Sequence, residues 1–176
     1  MKKECDEIIL ALDVASKKTG YAIFIGKTIV YHGTWRLKSP CYHLDLFNRI
    51  TQTIQKHKVT HIVSEDIFMD SSYVRVNVYP ILAECKGVVK LAVQQSGITI
   101  SHCTPIRIKQ HIWGMSGKRK LGRDEEKQMM IQAITNNYGY ALEKPNADDE
   151  ADAIGLLITY LDNKDYKVEH PNKWRN

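Results

Sequence analysis

The sequence predicts an α/β domain built on a five-stranded mixed sheet with helices on both faces. Three observations predict this fold. Three apolar, β-prone segments open the chain, two further strand-like segments each follow a helical pattern, and helical patterns occupy most of the remainder. The order βββαβαβ followed by helices is typical of a sheet that is covered on both sides. The chain has 176 residues, enough for one domain with its own core.

The first three strands are predicted to form an antiparallel meander. Residues 8–12 are an apolar run of strand length, and the β-prone segments 21–25 and 28–32 follow. The pair Thr19-Gly20 predicts the first turn and Gly26-Lys27 predicts the second. Short links of this kind place consecutive strands next to each other.

Helices and strands alternate after Pro40. Apolar residues at three- and four-residue steps indicate amphipathic helices, and short β-prone runs between them indicate strands. The predicted helices are 42–58, 80–96, 105–113, 124–138 and 147–161 (capped by Asn146), and the predicted strands are 59–64 and 98–102. Residues 114–123 predict a mobile basic loop, and the polar stretch 163–176 predicts a frayed tail.

Composition restricts the class of protein. Hydrophobic residues make up 43% and charged residues 26%, which is typical of a packed globular domain and excludes a disordered or collagen-like chain. No apolar run reaches the roughly 18 residues that a membrane span needs. The four cysteines are far apart with no CxxC pair, so we expect free thiols and a cytoplasmic protein. The net charge of +5 permits an anionic partner such as nucleic acid.

Four carboxylates fall near the ends of predicted elements. Asp13 follows the first strand, Glu65 ends the fourth, and Asp149 and Asp152 share one face of the last helix. An acid after a strand is usually a turn former, and acids at a helix start complement its dipole. Taken jointly, however, these positions indicate a cluster at one edge of the sheet.

Such a cluster points to metal-dependent chemistry. Four ionised carboxylates repel one another unless divalent cations lie between them. Hard oxygen ligands suit Mg²⁺ or Mn²⁺, and two ions about 4 Å apart can activate water for phosphodiester cleavage. The neighbouring acids Asp66, Asp148 and Glu150 are predicted to point away from this cluster.

On these residues the chain resembles the RuvC-type Holliday-junction resolvases of the RNase H-like (retroviral-integrase) superfamily. The resemblance covers roughly residues 8–161. Its motifs are Ile9-Leu10-Ala11-Leu12-Asp13, Thr19-Gly20-Tyr21, Ser64-Glu65-Asp66-Ile67-Phe68, Glu84-Cys85-Lys86-Gly87-Val88, Ile108-Lys109-Gln110 and Asp149-Glu150-Ala151-Asp152-Ala153. It implies an RNase H-like nuclease domain over residues 1–162 and a polar tail over 163–176.

The resemblance also implies an activity. It implies a crossover junction endodeoxyribonuclease that resolves Holliday junctions, and possibly other branched DNA, by paired nicks as a homodimer. Two Mg²⁺ ions per active site, with Mn²⁺ as a substitute, would be held by the residues matching the family's metal ligands, Asp13, Glu65, Asp149 and Asp152. Lys127 matches a catalytic lysine beside the scissile phosphate, and Lys109 another functional lysine. Phe68 matches an aromatic residue that stacks on bases at the crossover.

Further DNA contacts are expected in two loops. Tyr73 and Arg75 follow the fourth strand, and the basic loop contributes cations suited to phosphates, namely Lys118, Arg119, Lys120 and Arg123. Two features depart from the family pattern: Asp13-Val14-Ala15 replaces Asp-Pro-Gly, and 117–124 resembles an insertion. These departures resemble phage-encoded members, for which the location would be the host cytoplasm.

Two other functions stay open at this point. One is an RNase H-like nuclease acting on RNA/DNA hybrids or on ribosomal-RNA precursors; the other is a non-catalytic junction-binding protein. For the dimer, the helix over 80–96 is a candidate face, because Cys85, Val88 and Val89 broaden its apolar side. The alternative is that this side packs on the protein's own sheet.

Overall fold

Five strands form one sheet in the order β3-β2-β1-β4-β5. The computed structural model describes residues 6–66, 79–114, 122–142 and 147–171. The strands are β1 (Ile9–Val14), β2 (Lys18–Ile25), β3 (Thr28–Arg36), β4 (His61–Glu65) and β5 (Thr99–Cys103). β2 runs antiparallel to β1 and β3, whereas β4 runs parallel to β1 and β5. The predicted five-stranded mixed sheet is confirmed.

Helices cover both faces of this sheet, as predicted. They are α1 (Tyr42–His57), α2 (Tyr79–Ser96), α3 (Pro105–Trp113), α4 (Arg123–Gln132) and α5 (Ala147–Asn163). A π-helical turn, Ala133–Asn137, continues α4. Helices α1 and α2 pack in one apolar cluster, and α3, α4 and α5 pack in the other. The predicted cap Asn146 lies outside the described residues.

Strand β1 is the centre of the sheet. Residues 9–12 have no exposed surface, which explains why they are apolar throughout rather than alternating. Ile9 and Ala11 face the α5 side, whereas Leu10 and Leu12 face the α1 and α2 side. The same alternation points Asp13 towards α5.

The prediction that Thr19-Gly20 forms a turn is wrong. Both residues lie within β2, where Gly20 pairs with Asp13 and Thr19 pairs with Val14. The link between β1 and β2 is 15–17, and Ala15 N donates to Lys18 O across it at 3.2 Å. Position 20 requires glycine because α5 crosses directly above it. A Cβ there would lie 1.8 Å from the backbone oxygen of Asp149.

The apolar side chains that suggested a dimer face on α2 pack within their own chain. Cys85 and Val89 are 0% and 1% exposed and pack against α1 and the sheet of their own chain. Val88 is half-buried beside them. Cys85 and Val89 therefore follow the alternative, packing on the protein's own sheet, and a dimer contact through α2 stays a prediction.

The chain beyond α5 packs on the domain as far as it is described. Val168 is buried, Glu169 N donates to Lys27 O at 2.7 Å, and Tyr140 Oη lies 3.1 Å from His170 Nδ1. This packing replaces the fraying expected from Asn163 onward, up to residue 171. Three thiols, Cys41, Cys85 and Cys103, are free. Within the described ranges, every helix is too short or too polar to cross a bilayer.

Candidate active site

Two central strands bring Asp13 and Glu65 to the same edge of the sheet. β1 and β4 are parallel neighbours in which Leu12 pairs with Ser64, and the next residues on the two strands are Asp13 and Glu65. Parallel strands present their carboxyl ends at one edge, so these two half-buried carboxylates lie side by side.

Helix α5 adds two further carboxylates to this edge. Asp149 lies in its first turn and Asp152 one turn later, so both face the sheet together. Asp13, Glu65 and Asp152 line one cavity of about 320 Å³, whose apolar walls include Trp113. Asp149 does not line this cavity, but its charge acts on both Asp13 and Asp152, so the four acids that the sequence singled out lie near one another.

The pKa directions show how closely these groups interact. Burial, followed by the charges of Asp152 and Glu65, raises the pKa of Asp13 well above its ordinary value. Burial and the charge of Glu65 raise the pKa of Asp152 to about 7. Burial likewise raises the pKa of Glu65. A site that disfavours ionised carboxylates in this way is suited to a bound cation that offsets their charge.

The surroundings of Asp149 also suit a bound cation. Its Oδ2 is shielded from solvent and accepts no hydrogen bond, and Lys18 Nζ is 3.7 Å away. Burial, then the charge of Asp148, raises the pKa of Asp149. As the side chains are placed, no three His, Cys, Asp or Glu residues in the described ranges surround a common point at ligand distance. The carboxylate oxygens are the kind of ligand that a divalent cation prefers, and the side chains would have to move to surround one.

The two predicted functional lysines line the cavity, and each is held by an acid. Lys127 Nζ lies 2.5 Å from Asp148 Oδ2, and Lys109 Nζ lies 2.7 Å from Glu126 Oε2. The hydrogen bond to Asp148 raises the pKa of Lys127. Burial works to raise the pKa of Asp148, but the hydrogen bond and charge of Lys127, together with backbone hydrogen bonds, lower that pKa overall. Asp148 is predicted to point away from the site, but it forms an ion pair with Lys127 in the site.

Glu150 also differs from its prediction as an ordinary helix-start acid. Its side chain is 1% exposed and makes a short contact with His32 Nδ1 on β3. The His32 ring meets Tyr140 edge-on at 5.8 Å between centroids. Glu150 therefore fixes the first turn of α5, which carries Asp149, to the outer strand of the sheet.

The remaining predicted contacts divide into two groups. Arg123 is exposed and lines the cavity. The others lie outside the described residues and stay predictions: Phe68, Tyr73, Arg75, Lys118, Arg119 and Lys120.

Sequence reasoning missed one residue at this edge, Lys86. It is 9% exposed on α2, and its Nζ donates to Ser64 Oγ at 2.8 Å and to the backbone oxygen of Glu65. A signal was present, because Lys86 shares a buried stripe with Val89 and Val93, three and seven residues on. A lysine in an apolar stripe indicates a buried partner.

Comparisons with known proteins identify the family to which the sequence is similar. A sequence profile described as "Crossover junction endodeoxyribonuclease RuvC" matches residues 9–160. A relative of that description from Pelotomaculum thermopropionicum is 28% identical over 164 residues, covering 87% of this chain and 92% of the relative. Another from Syntrophomonas wolfei is 25% identical over 162 residues, covering 87% of each.

Solved structures share the fold. T. thermophilus RuvC in complex with Holliday junction substrate matches with a TM-score of 0.68 and 15% identity, covering 90% of this chain and 95% of that one. The fowlpox virus resolvase in complex with substrate Holliday junction DNA matches with a TM-score of 0.59 and 14% identity, covering 89% and 97%. Since the profile spans nearly the whole domain, from the first strand to the end of α5, this chain belongs to the RuvC family of crossover junction endodeoxyribonucleases.

Proposed function

We propose that the protein is a metal-dependent endonuclease that resolves four-way DNA junctions. The observation that carries this proposal is the convergence of Asp13, Glu65, Asp149 and Asp152 in a chain matched by the RuvC profile over 9–160. Members of that family are metal-dependent nucleases. Two structural neighbours are described as complexes with Holliday junction DNA, which supports the same substrate here.

The four carboxylates would hold two Mg²⁺ ions, for which Mn²⁺ would substitute. Their oxygens are the hard ligands that both ions prefer. When bound, such ions supply an activated water and stabilise the charge on the leaving oxygen. Asp149 Oδ2 is shielded from solvent, accepts no hydrogen bond and has the Lys18 ammonium 3.7 Å away, which supports the assignment because a metal ion could bind it more closely.

The cavity cations would hold the cleaved strand. Lys127, Lys109 and Arg123 line the same cavity as three of the acids, so a phosphate entering it meets positive charge. Lys127 is the proposed catalytic lysine, since an ammonium beside the scissile phosphate stabilises developing negative charge. Phe68, Tyr73, Arg75, Lys118, Arg119 and Lys120 are proposed to contact the junction from the loops that carry them.

A homodimer follows from paired nicking. Two strands of one junction must be cut, and within the described ranges one chain carries one acid cluster of this kind. A second copy would supply the second cluster. Sedimentation of the protein with and without junction DNA tests this part of the proposal.

The decisive experiment uses a synthetic four-way junction with Mg²⁺. Symmetrically nicked duplexes are the expected product, and Asp152→Asn should bind the junction with unchanged affinity but not cleave it. RNA/DNA hybrid and linear duplex of the same sequence serve as parallel substrates. Cleavage of the hybrid without cleavage of the junction would favour the related RNase H-like activity instead. Normal cleavage by Asp152→Asn would overturn the metal-site assignment.

A further inference from the structure

Lys86 approaches the acid cluster from the opposite side of the sheet. Ser64 lies on the face of β4 that meets α2, whereas Glu65 points to the α5 face. The Lys86 ammonium donates to Ser64 Oγ at 2.8 Å and to the backbone oxygen of Glu65. It therefore binds the main chain at Glu65, the residue whose carboxylate faces the cavity.

A lysine at this position is costly, which makes its contacts informative. Taking an ammonium out of water strongly destabilises a fold unless hydrogen bonds and opposite charge compensate. Lys86 is 9% exposed on the stripe that α2 otherwise fills with Cys85 and Val89. A methionine of similar length would fill the same space without that cost. The packing of α2 therefore gives no reason for a lysine, whereas the end of β4 does.

The sheet restrains Glu65 on the β5 side, where Asp66 N donates to Cys103 O at 2.8 Å, more than on the β1 side. Glu65 is the last residue of β4, and on the β5 side its register partner is Cys103. On the β1 side the recorded pairing stops one residue earlier, at Leu12 and Ser64. The Lys86 contacts act at this strand end, where β4 is paired with β5 but no longer with β1.

We propose that Lys86 is a positioning residue that fixes the end of β4, so that the Glu65 carboxylate is presented to the metal ions. This inference rests on the proposed metal site. Residues that orient metal ligands typically change metal affinity or activity by about 10- to 100-fold when they are removed. Lys86 touches neither metal nor substrate in this assignment, so its effect passes through Glu65.

Lys86→Met tests the proposal, with Lys86→Arg as the conservative variant. Mn²⁺ binding, measured by water-proton relaxation without DNA, should weaken about tenfold or more in Lys86→Met and be restored in part by Lys86→Arg. Single-turnover cleavage should need a correspondingly higher metal concentration. Junction binding in Ca²⁺ should change less than about twofold, because the phosphate-facing lysines are untouched.

Matched variants separate positioning from folding. Lys90→Met changes an exposed lysine one turn further along α2 and should leave metal binding unchanged. Ser64→Ala removes one of the two Lys86 acceptors with little change in volume, and should lose less Mn²⁺ affinity than Lys86→Met. It tests the same contact if Lys86→Met does not fold. Unchanged or tighter Mn²⁺ binding in Lys86→Met and Ser64→Ala would overturn the proposal.

Glu65→Gln distinguishes this inference from the function on which it rests. An inactive Glu65→Gln beside a wild-type-like Lys86→Met defeats the role of Lys86 alone. A fully active Glu65→Gln defeats the metal site itself and, with it, the role of Lys86.

Discussion

The backbone oxygen of Asp149 occupies the space that a side chain on Gly20 would need. A Cβ at Gly20 would lie 1.8 Å from that oxygen. Gly20 lies on β2 and pairs with Asp13 in the sheet, so this close approach places the helix that presents Asp149 against the strand next to the one that presents Asp13. The distance between β2 and α5 beside the active site is therefore limited by the absence of a side chain at Gly20.

Gly20→Ala should separate these elements. We expect an unfolding free energy lower by about 2 kcal/mol, since an added methyl group must displace backbone. Cleavage should fall about 100-fold, because misplacement by about 1 Å costs that much in a preorganised site. Urea denaturation and single-turnover cleavage measure the two effects. Gly87→Ala is the control: a Cβ there meets no atom within 4 Å, so it should leave cleavage unchanged.

The stability of the metal-free protein should fall as pH rises. The folded state raises the pKa of Asp152 to about 7, above its unfolded value of 3.8, so the folded state holds the proton longer. Below the unfolded pKa both states hold the proton, so stability does not depend on pH through this group. Between pH 4 and about 7 the unfolded state loses the proton first, so stability falls with each rise in pH. The total loss is on the order of a few kcal/mol. Asp13 and Glu65 act in the same direction.

Thermal unfolding in EDTA between pH 5 and 8 measures this effect. The melting temperature of the wild type should fall as pH rises, and that of Asp152→Asn should fall less. Added Mg²⁺ should raise the melting temperature more at pH 8 than at pH 5, because protons compete with the ion. A melting temperature that rises from pH 5 to pH 8 in EDTA would contradict the assigned proton linkage.

The Lys127–Asp148 pair should restrain the proposed catalytic lysine. Lys127→Met should lower the single-turnover rate about 100-fold and weaken junction binding in Ca²⁺ by a much smaller factor, because Lys109 and Arg123 still line the cavity. Asp148→Asn removes the carboxylate 2.5 Å from Lys127 Nζ, so DNA affinity should increase, most visibly for linear duplex. Filter binding at fixed salt compares the two variants. Equal rates for Lys127→Met and the wild type would remove Lys127 from the chemistry.

The His32–Glu150 contact should contribute strongly to stability. Glu150 is 1% exposed, so His32→Ala deprives a buried carboxylate of a partner and should cost about 3 kcal/mol. His43→Ala breaks an exposed pair with Glu84 and should cost less than about 1 kcal/mol. Urea denaturation at pH 7 compares them, and equal losses would show that burial of Glu150 does not decide the energetics.

Much of this fold can be predicted from sequence because its signals are local. A continuous apolar run marks a strand buried on both faces, as in β1, and three- and four-residue spacing marks α1 and α5. The acid cluster could be anticipated for the same reason, since Asp13 and Glu65 end neighbouring strands and Asp149 and Asp152 are three residues apart.

Contacts between distant segments were less predictable. Thr19-Gly20 resembles a turn because glycine suits both turns and close helix approaches, and only the position of α5 distinguishes the two. Glu150 has the sequence context of a solvated helix start, yet β3 supplies His32 across 118 residues. Lys86 similarly depends on partners 21 and 22 residues away, on another element.

The pairing of Lys127 and Lys109 with acids has a consequence for the ionic-strength dependence of DNA binding. When a phosphate replaces Asp148 or Glu126, the DNA releases condensed cations, but the freed carboxylate attracts cations in turn. Each such exchange contributes little net ion release. Affinity should therefore fall less steeply with salt than a count of cavity lysines implies, and neutralising either acid should steepen it.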